Sequence, residues 1–170
     1  VATPSVVEAG PRPVVAARPD EEGAIRIFIE SLPQWTAGKR ESSNDARQLV
    51  AETWKAWGDV GSIAFREVGR GEQPHVVIRT EPLDGAGGVP GHGQLGPPQE
   101  GLTLELRLDS QDEWSADQLR RVVLHELGHL LGLTHTATPG QLMSDSVPAS
   151  VQAPQSEDIA RLRKLWNRGE

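Results

Sequence analysis

One segment of eleven residues constrains this chain more than any other: His125-Glu126-Leu127-Gly128-His129-Leu130-Leu131-Gly132-Leu133-Thr134-His135. Its first two histidines stand four positions apart, and residues at that spacing share one face of an α-helix. Two imidazoles on one face can be presented to a single cation. Gly132 follows at the point where glycine takes up the left-handed conformation that ends a helix. The chain then turns back, and His135 can complete a three-nitrogen set. Three protein ligands leave a fourth position for water, which distinguishes a catalytic zinc from a structural one. Glu126 lies beside the first histidine, so it approaches the metal without binding it. A carboxylate there can accept a proton from water and pass it to a leaving amine. HExxH alone recurs by chance, and a histidine on an apolar helix is usually a satisfied core residue. Here three of the chain's five histidines fall within eleven residues, with a glycine where the turn needs one.

The rest of the chain supplies a mixed frame. Ile25, Ile27 and Ile29 alternate with other side chains, which predicts a strand over 24–30. Leu49, Val50, Trp54 and Trp57 recur at helical spacing, which predicts a helix over 44–57 with Asn44 or Asp45 as its cap. Short strands are expected over 63–68 and 75–79. Asp84-Gly85-Ala86-Gly87-Gly88 is too rich in glycine for a regular element and reads as a loop. Leu102, Leu104, Leu106 and Leu108 alternate strictly, predicting a strand with one buried face. Ser115 with Gln118 forms a capping-box signature and opens a helix carrying Leu119, Val122, Val123, Leu127, Leu130 and Leu131. A last helix is expected over about 156–166, with Ile159, Leu162, Leu165 and Trp166 facing inward. The order β-α-β-β-β-α-α suggests a mixed sheet packed on helices. Residues 1–22, broken by Pro4, Pro11, Pro13 and Pro19, read as an extended arm ahead of one domain over 23–170.

Composition excludes several classes. The net charge is −7 and no basic patch stands out, whereas phosphate binding needs clustered Lys and Arg, so nucleic acid is not expected as a partner. No apolar run reaches the length of a membrane span. No cysteine is present, which removes disulfides and thiolate ligands and leaves the redox compartment unread. No leader stands at Val1, so the sequence is that of a mature form, an excised segment or a cytosolic protein.

HELGHLLGLTH resembles the extended motif HExxHxxGxxH of the metzincin zinc metallopeptidases, which also place a methionine in a tight turn beneath the metal. Met143, the sole methionine, sits in Gly140-Gln141-Leu142-Met143. Within that clan the chain is most similar to the matrixins. Thr138-Pro139-Gly140-Gln141-Leu142-Met143 is similar to their stretch between third ligand and methionine. Glu52-Thr53-Trp54-Lys55-Ala56-Trp57 and Ile63-Ala64-Phe65 resemble their first helix and second strand, and Ser156-Glu157-Asp158-Ile159 the start of their last helix. The resemblance covers about residue 24 to the C-terminus. It implies an α+β fold of the zincin-like, metzincin kind: a twisted, mostly parallel five-stranded sheet with one antiparallel edge strand, packed on three helices. It implies a secreted, monomeric zinc endopeptidase acting on protein or peptide substrates, with His125, His129 and His135 on one zinc, Glu126 as general base and Met143 as a structural floor.

Further positions follow from the resemblance. Asp84-Gly85-Ala86-Gly87-Gly88 resembles the family's calcium loop. A structural calcium would then take Asp84, the carbonyls of Gly85, Gly87 and Val89, and Asp109 and Asp112, oxygen ligands of the kind calcium needs. The bland alternative is a glycine turn with solvated aspartates. The rim strand over 89–94 would accept substrate as an added antiparallel strand, with Val89, Gly91, Arg121 and Val122 in the substrate site. Arg121 is placed to shorten the main pocket. The chain also departs from the family. Val77, Arg79, His92 and Arg107 fall where a second, structural zinc is bound, and two arginines would repel a cation, so none is expected. Asp145 and Val147 replace a proline and a tyrosine beyond the methionine, and with no tyrosine in the chain no such side chain can serve as an extra ligand. Pro90 removes one backbone donor from the rim. Two rival readings stand beside the peptidase: a catalytically idle module that binds peptide, and a latent enzyme whose arm covers the metal. Among Glu8, Asp20 and Glu21, Asp20 is the nominee for that contact.

Overall fold

The computed structural model describes residues 23–34 and 43–166, so the expectations for the arm, including Glu8, Asp20 and Glu21, lie outside the described residues. The elements are β1 (Ile25–Ile29), α1 (Ser43–Gly61), β2 (Phe65–Glu67), β3 (Val76–Glu81), β4 (Gly91–Gly93), β5 (Leu104–Asp109), α2 (Ala116–Leu130) and α3 (Ser156–Trp166). They form one five-stranded sheet in the order β2-β1-β3-β5-β4. β1 runs parallel to β2 and β3, and β3 to β5, while β4 alone is antiparallel, against β5. The fold is the α+β, mostly parallel arrangement expected of the metzincins. Alternation explains the inner strands. Ile25, Ile27 and Ile29 are buried on one face of β1, and Leu104, Leu106 and Leu108 on the same face of β5.

Where boundaries moved, packing moved them. α1 runs past Trp57 to Gly61 because its last turn is pinned by α3: Arg163 Nε donates to Val60 O at 2.8 Å, and a methyl at Gly61 would meet the Leu162 side chain. The same helix starts at Ser43, so Asn44 and Asp45 fall within its first turn rather than at its cap. Leu102 does not extend β5. It closes a turn through its N–H to Gln99 O and is 49% exposed. β2 is shorter than the expected strand because Ile63 still folds back on α1, donating to Gly58 O at 3.1 Å. β4 carries only glycines and one histidine, so no side-chain alternation announces it; its place is given by the ladder to β5.

The core lies between the sheet and the crossing of α1 and α2. Trp57 is fully buried there, and its indole N–H donates to Leu124 O at 2.9 Å. Trp166 ties α3 to the end of α2 by donating to Leu131 O at 2.9 Å. Truncating Trp57 removes a large buried side chain and leaves a backbone carbonyl of α2 without its donor. Trp57→Ala is therefore expected to lower unfolding free energy by about 3–5 kcal/mol, measured by urea denaturation of the metal-free chain.

Candidate metal centre

α2 carries the first two histidines. Ser115 caps it, its hydroxyl accepting from Gln118 N at 3.2 Å, and its buried face includes Leu119, Val123, Leu127 and Leu130. His125, Glu126 and His129 stand on the face turned to the cleft. The helix ends where the sequence placed a glycine. Leu131 is still right-handed, and Gly132 takes φ +104°, a region a side chain would strain. Leu133 N then donates back to Gly128 O at 2.9 Å, and the chain returns with His135.

The three rings meet at their Nε2 atoms. His135 Nε2 lies 3.1 Å from both His125 Nε2 and His129 Nε2. Every Nδ1 is turned away onto an acceptor: His125 to Leu142 O at 2.7 Å, His129 to Leu133 O at 2.7 Å, and His135 to Asp145 Oδ1 at 2.5 Å. Carbonyl and carboxylate oxygens only accept, so each Nδ1 carries the proton and each Nε2 points a lone pair at the others. Neutral imidazoles in that tautomer cannot hydrogen-bond to one another, and their lone pairs repel. A cation resolves the conflict. Tetrahedral zinc with Zn–N of about 2.0–2.1 Å separates its ligand nitrogens by roughly 3.3–3.4 Å, close to the two separations of 3.1 Å made by His135. Among the described residues this is the one cluster of three or more His, Asp or Glu side chains that brings its donor atoms together in this way.

A second layer fixes the floor. Met143 is fully buried against Gly128, where a Cβ would collide with its sulfur. The turn that carries it is clamped by Asp158, a buried carboxylate of α3 that accepts from Leu142 N at 2.8 Å, Met143 N at 3.0 Å and Gln155 N at 2.8 Å. Thr136 N donates to Met143 O at 2.9 Å, joining the His135 loop to the methionine turn. Neither the Asp158 clamp nor the Nδ1 acceptors are visible in the sequence, because no spacing rule pairs a ring or a carboxylate with groups 4 to 17 residues away.

Glu126 Oε2 accepts from Gly93 N at 2.6 Å, so the putting of a carboxylate beside the histidines depends on the rim strand. Burial pushes the Glu126 carboxyl up to about 7, against the smaller opposing pull of that N–H. Burial pushes His129 down to about 4 and lowers His125 as well, in each case against a carbonyl bond that works the other way. In the metal-free chain burial thus favours the neutral forms of Glu126, His125 and His129.

The cleft has a volume of about 820 Å³ and runs between the rim at 88–93 and α2. Val89, Gly91, Arg121 and Val122 all line it, as do Gln118, Asp145 and Val147. A second hollow of about 610 Å³ between α1 and β2 gathers no converging set of donors; its Lys55 and Asp59 pair with each other. The glycine loop is wired by its aspartates. Asp109 accepts from Leu83 N, Asp84 N and Gln111 N, Asp112 from Gly87 N, and Asp84 from Val89 N. The Asp109 carboxyl is held below its ordinary range first by the Gln111 N–H, then by those of Asp84 and Leu83. Across the outer sheet face Arg79 pairs with Glu105 and Glu81, and Arg107 with Glu81, its other nitrogen 3.4 Å from His92 Nδ1. Among the described residues no helix is long and apolar enough to cross a membrane.

Two histidines on a helix that ends at Gly132 and a third from the loop beyond it converge over a buried methionine, as the extended motif of the metzincins requires. The matrixin family model matches residues 34–167, and the chain belongs to that family as a matrixin catalytic domain. It is 27% identical to metalloendoproteinase 1 of Glycine max over 82% of this chain and 54% of that protein. It is 31% identical to interstitial collagenase of Sus scrofa over 76% of the chain and 30% of the relative. With stromelysin-3 of Homo sapiens the identity is 34% over 58% of the chain and 22% of the relative. The chain therefore spans about half or less of the length of these curated relatives.

The buried carboxyl makes one stability prediction. A folded pKa near 7 lies above the unfolded value of 4.5, so the contribution of Glu126 is present below about pH 4.5 and lost as pH rises through 7. His129 runs the other way: its contribution is present above 6.5 and lost as pH falls toward 4. Glu126→Gln keeps an acceptor for Gly93 N and cannot ionise. In the metal-free form it should match the parent near pH 4 and exceed it near pH 8 by on the order of 2 kcal/mol, as read from chemical denaturation with chelator present.

Proposed function

We propose that this chain is a zinc-dependent endopeptidase that hydrolyses internal peptide bonds of protein substrates. The observation that carries the reading is the convergence of three Nε2 lone pairs whose rings are each anchored through Nδ1. His125, His129 and His135 would hold the metal. Zinc there supplies a Lewis acid that polarises the scissile carbonyl and acidifies water. Glu126 takes the proton from the attacking water and delivers it to the leaving amine, a task suited to a carboxyl poised near neutral pH. Gly93 N keeps that carboxylate aimed into the cleft.

Substrate would lie extended along the free edge of β4. Gln94 N donates inward to Glu105 O, so on the alternating pattern of an antiparallel ladder the Gly91 groups face the cleft. Pro90 has no N–H, and its carbonyl already accepts from Asp109 N at 2.8 Å, so the rim offers the peptide nothing at that residue. Arg121 and Val122 line the cleft, and the arginine would shorten the pocket toward small or medium apolar side chains. The family supports a secreted setting. One experiment reads both parts. Parent and Glu126→Ala are loaded with zinc and given a peptide library. Both should carry one zinc, with turnover of Glu126→Ala lower by several orders of magnitude and parent cleavage favouring small apolar groups after the cut bond. Full activity of Glu126→Ala refutes the mechanism, and a preference for long aromatic groups refutes the short pocket.

Calcium is proposed as a structural addition. Asp109 accepts from Leu83 N and Asp84 N, and Asp112 from Gly87 N, so two carboxylates are drawn onto the glycine loop that carries Asp84, and carboxylate and loop-carbonyl oxygens are the ligands calcium takes. Asp112 and the loop carbonyls of Gly85, Gly87 and Val89 would complete the shell. Millimolar calcium should raise the Tm by several degrees and Asp84→Ala should abolish the rise; a Tm indifferent to calcium leaves only a wired turn.

A further inference from the structure

We infer that Asp145 is a positioning residue of the metal centre, whose carboxylate fixes the ring of His135 and strengthens it as a ligand. The inference rests on the three histidines holding a metal, as proposed above. The other two rings are anchored from inside the fold, on the carbonyls of Leu142 and Leu133, residues 0% and 3% exposed. His135 stands outside, its side chain 45% exposed.

The backbone on either side of His135 is fixed. Thr134 accepts from Arg161 Nη2 at 2.9 Å through its carbonyl and at 3.1 Å through its hydroxyl, and Thr136 N donates to Met143 O at 2.9 Å. None of these contacts restrains rotation of the ring about its own side-chain bonds. The group that meets Nδ1 is the Asp145 carboxylate, 2.5 Å away. Asp145 comes within reach because the Thr136–Ser144 bridge lays the two segments side by side, and Asp145 is the next residue.

A carboxylate on Nδ1 does two things to a ligand. It selects the tautomer that leaves Nε2 unprotonated, and its charge raises the basicity of that nitrogen. The bond strengthens when the ring binds a cation, since the Nδ1–H becomes a better donor. In the metal-free chain the pair adds little to stability, because the Asp145 side chain is 81% exposed. The effect therefore falls on metal retention rather than on folding.

The test uses the full chain as parent, Asp145→Asn and Asp145→Ala. Zinc dissociation constants are measured by competition with a chromophoric chelator, Tm on the metal-free forms, and the His135 tautomer by ¹⁵N NMR on those same forms. Asp145→Ala should weaken zinc binding about 10–100-fold. Asp145→Asn should fall between, since its amide oxygen still accepts but carries no charge. The metal-free Tm values should coincide, and His135 in Asp145→Ala should gain the Nε2-protonated form. Unchanged zinc affinity in Asp145→Ala overturns the inference, as does a loss that tracks a lowered metal-free Tm. A parent that binds no zinc instead defeats the metal reading itself.

Discussion

Three nitrogen lone pairs converge and repel one another, His135 Nε2 lying 3.1 Å from each of the other two, and much of the molecule serves to keep them there. Two ride on one helix, whose geometry fixes their spacing. The third comes from a separate loop, and its approach depends on the Gly132 turn and on the backbone bridge to the methionine turn. That turn is in turn held by Asp158 from α3. The last helix, whose Asp158 carboxylate bonds to none of the three histidines, thereby sets the position of the Leu142 carbonyl that orients His125.

Close approach to α2 is the second constraint. Met143 presses on one side at Gly128, and β4 presses on another at Gly93, where a Cβ would stand 2.5 Å from the Glu126 carbonyl oxygen. This proximity lets a rim N–H reach the Glu126 side chain, and it removes water from that side chain. Desolvation then drives the Glu126 carboxyl up and the His125 and His129 imidazoles down, toward neutrality. A bound divalent cation would reverse that balance, since a metal and a carboxylate in the same site support each other.

The outer sheet face carries a network of ion pairs. The side chains at 79 and 107 are arginines neutralised by Glu81 and Glu105, and His92 lies against Arg107. The register places Arg79 opposite Arg107 and Arg107 opposite His92, so that surface is an ionic lattice across three strands.

The sequence by itself determined the elements whose information is periodic or local. The isoleucines of β1, the leucines of β5, the Ser115 cap, the ligand helix and the bounds of α3 could all be read from spacing, because a face or a cap is defined by residues within a few positions of each other. Gly132 marked its turn for the same reason. Tertiary structure alone decided the rest. β4 has no apolar alternation; the family resemblance alone put a rim strand over 89–94, and the ladder to β5 set its bounds at Gly91–Gly93. α1 outran its apolar periodicity because α3 packs on its last turn. Asp158 on the methionine turn, Gly93 on Glu126 and Asp145 on His135 join groups that no spacing rule connects. Hydrogen bonds of that kind depend on where backbone segments meet, and composition leaves that open until the core has packed.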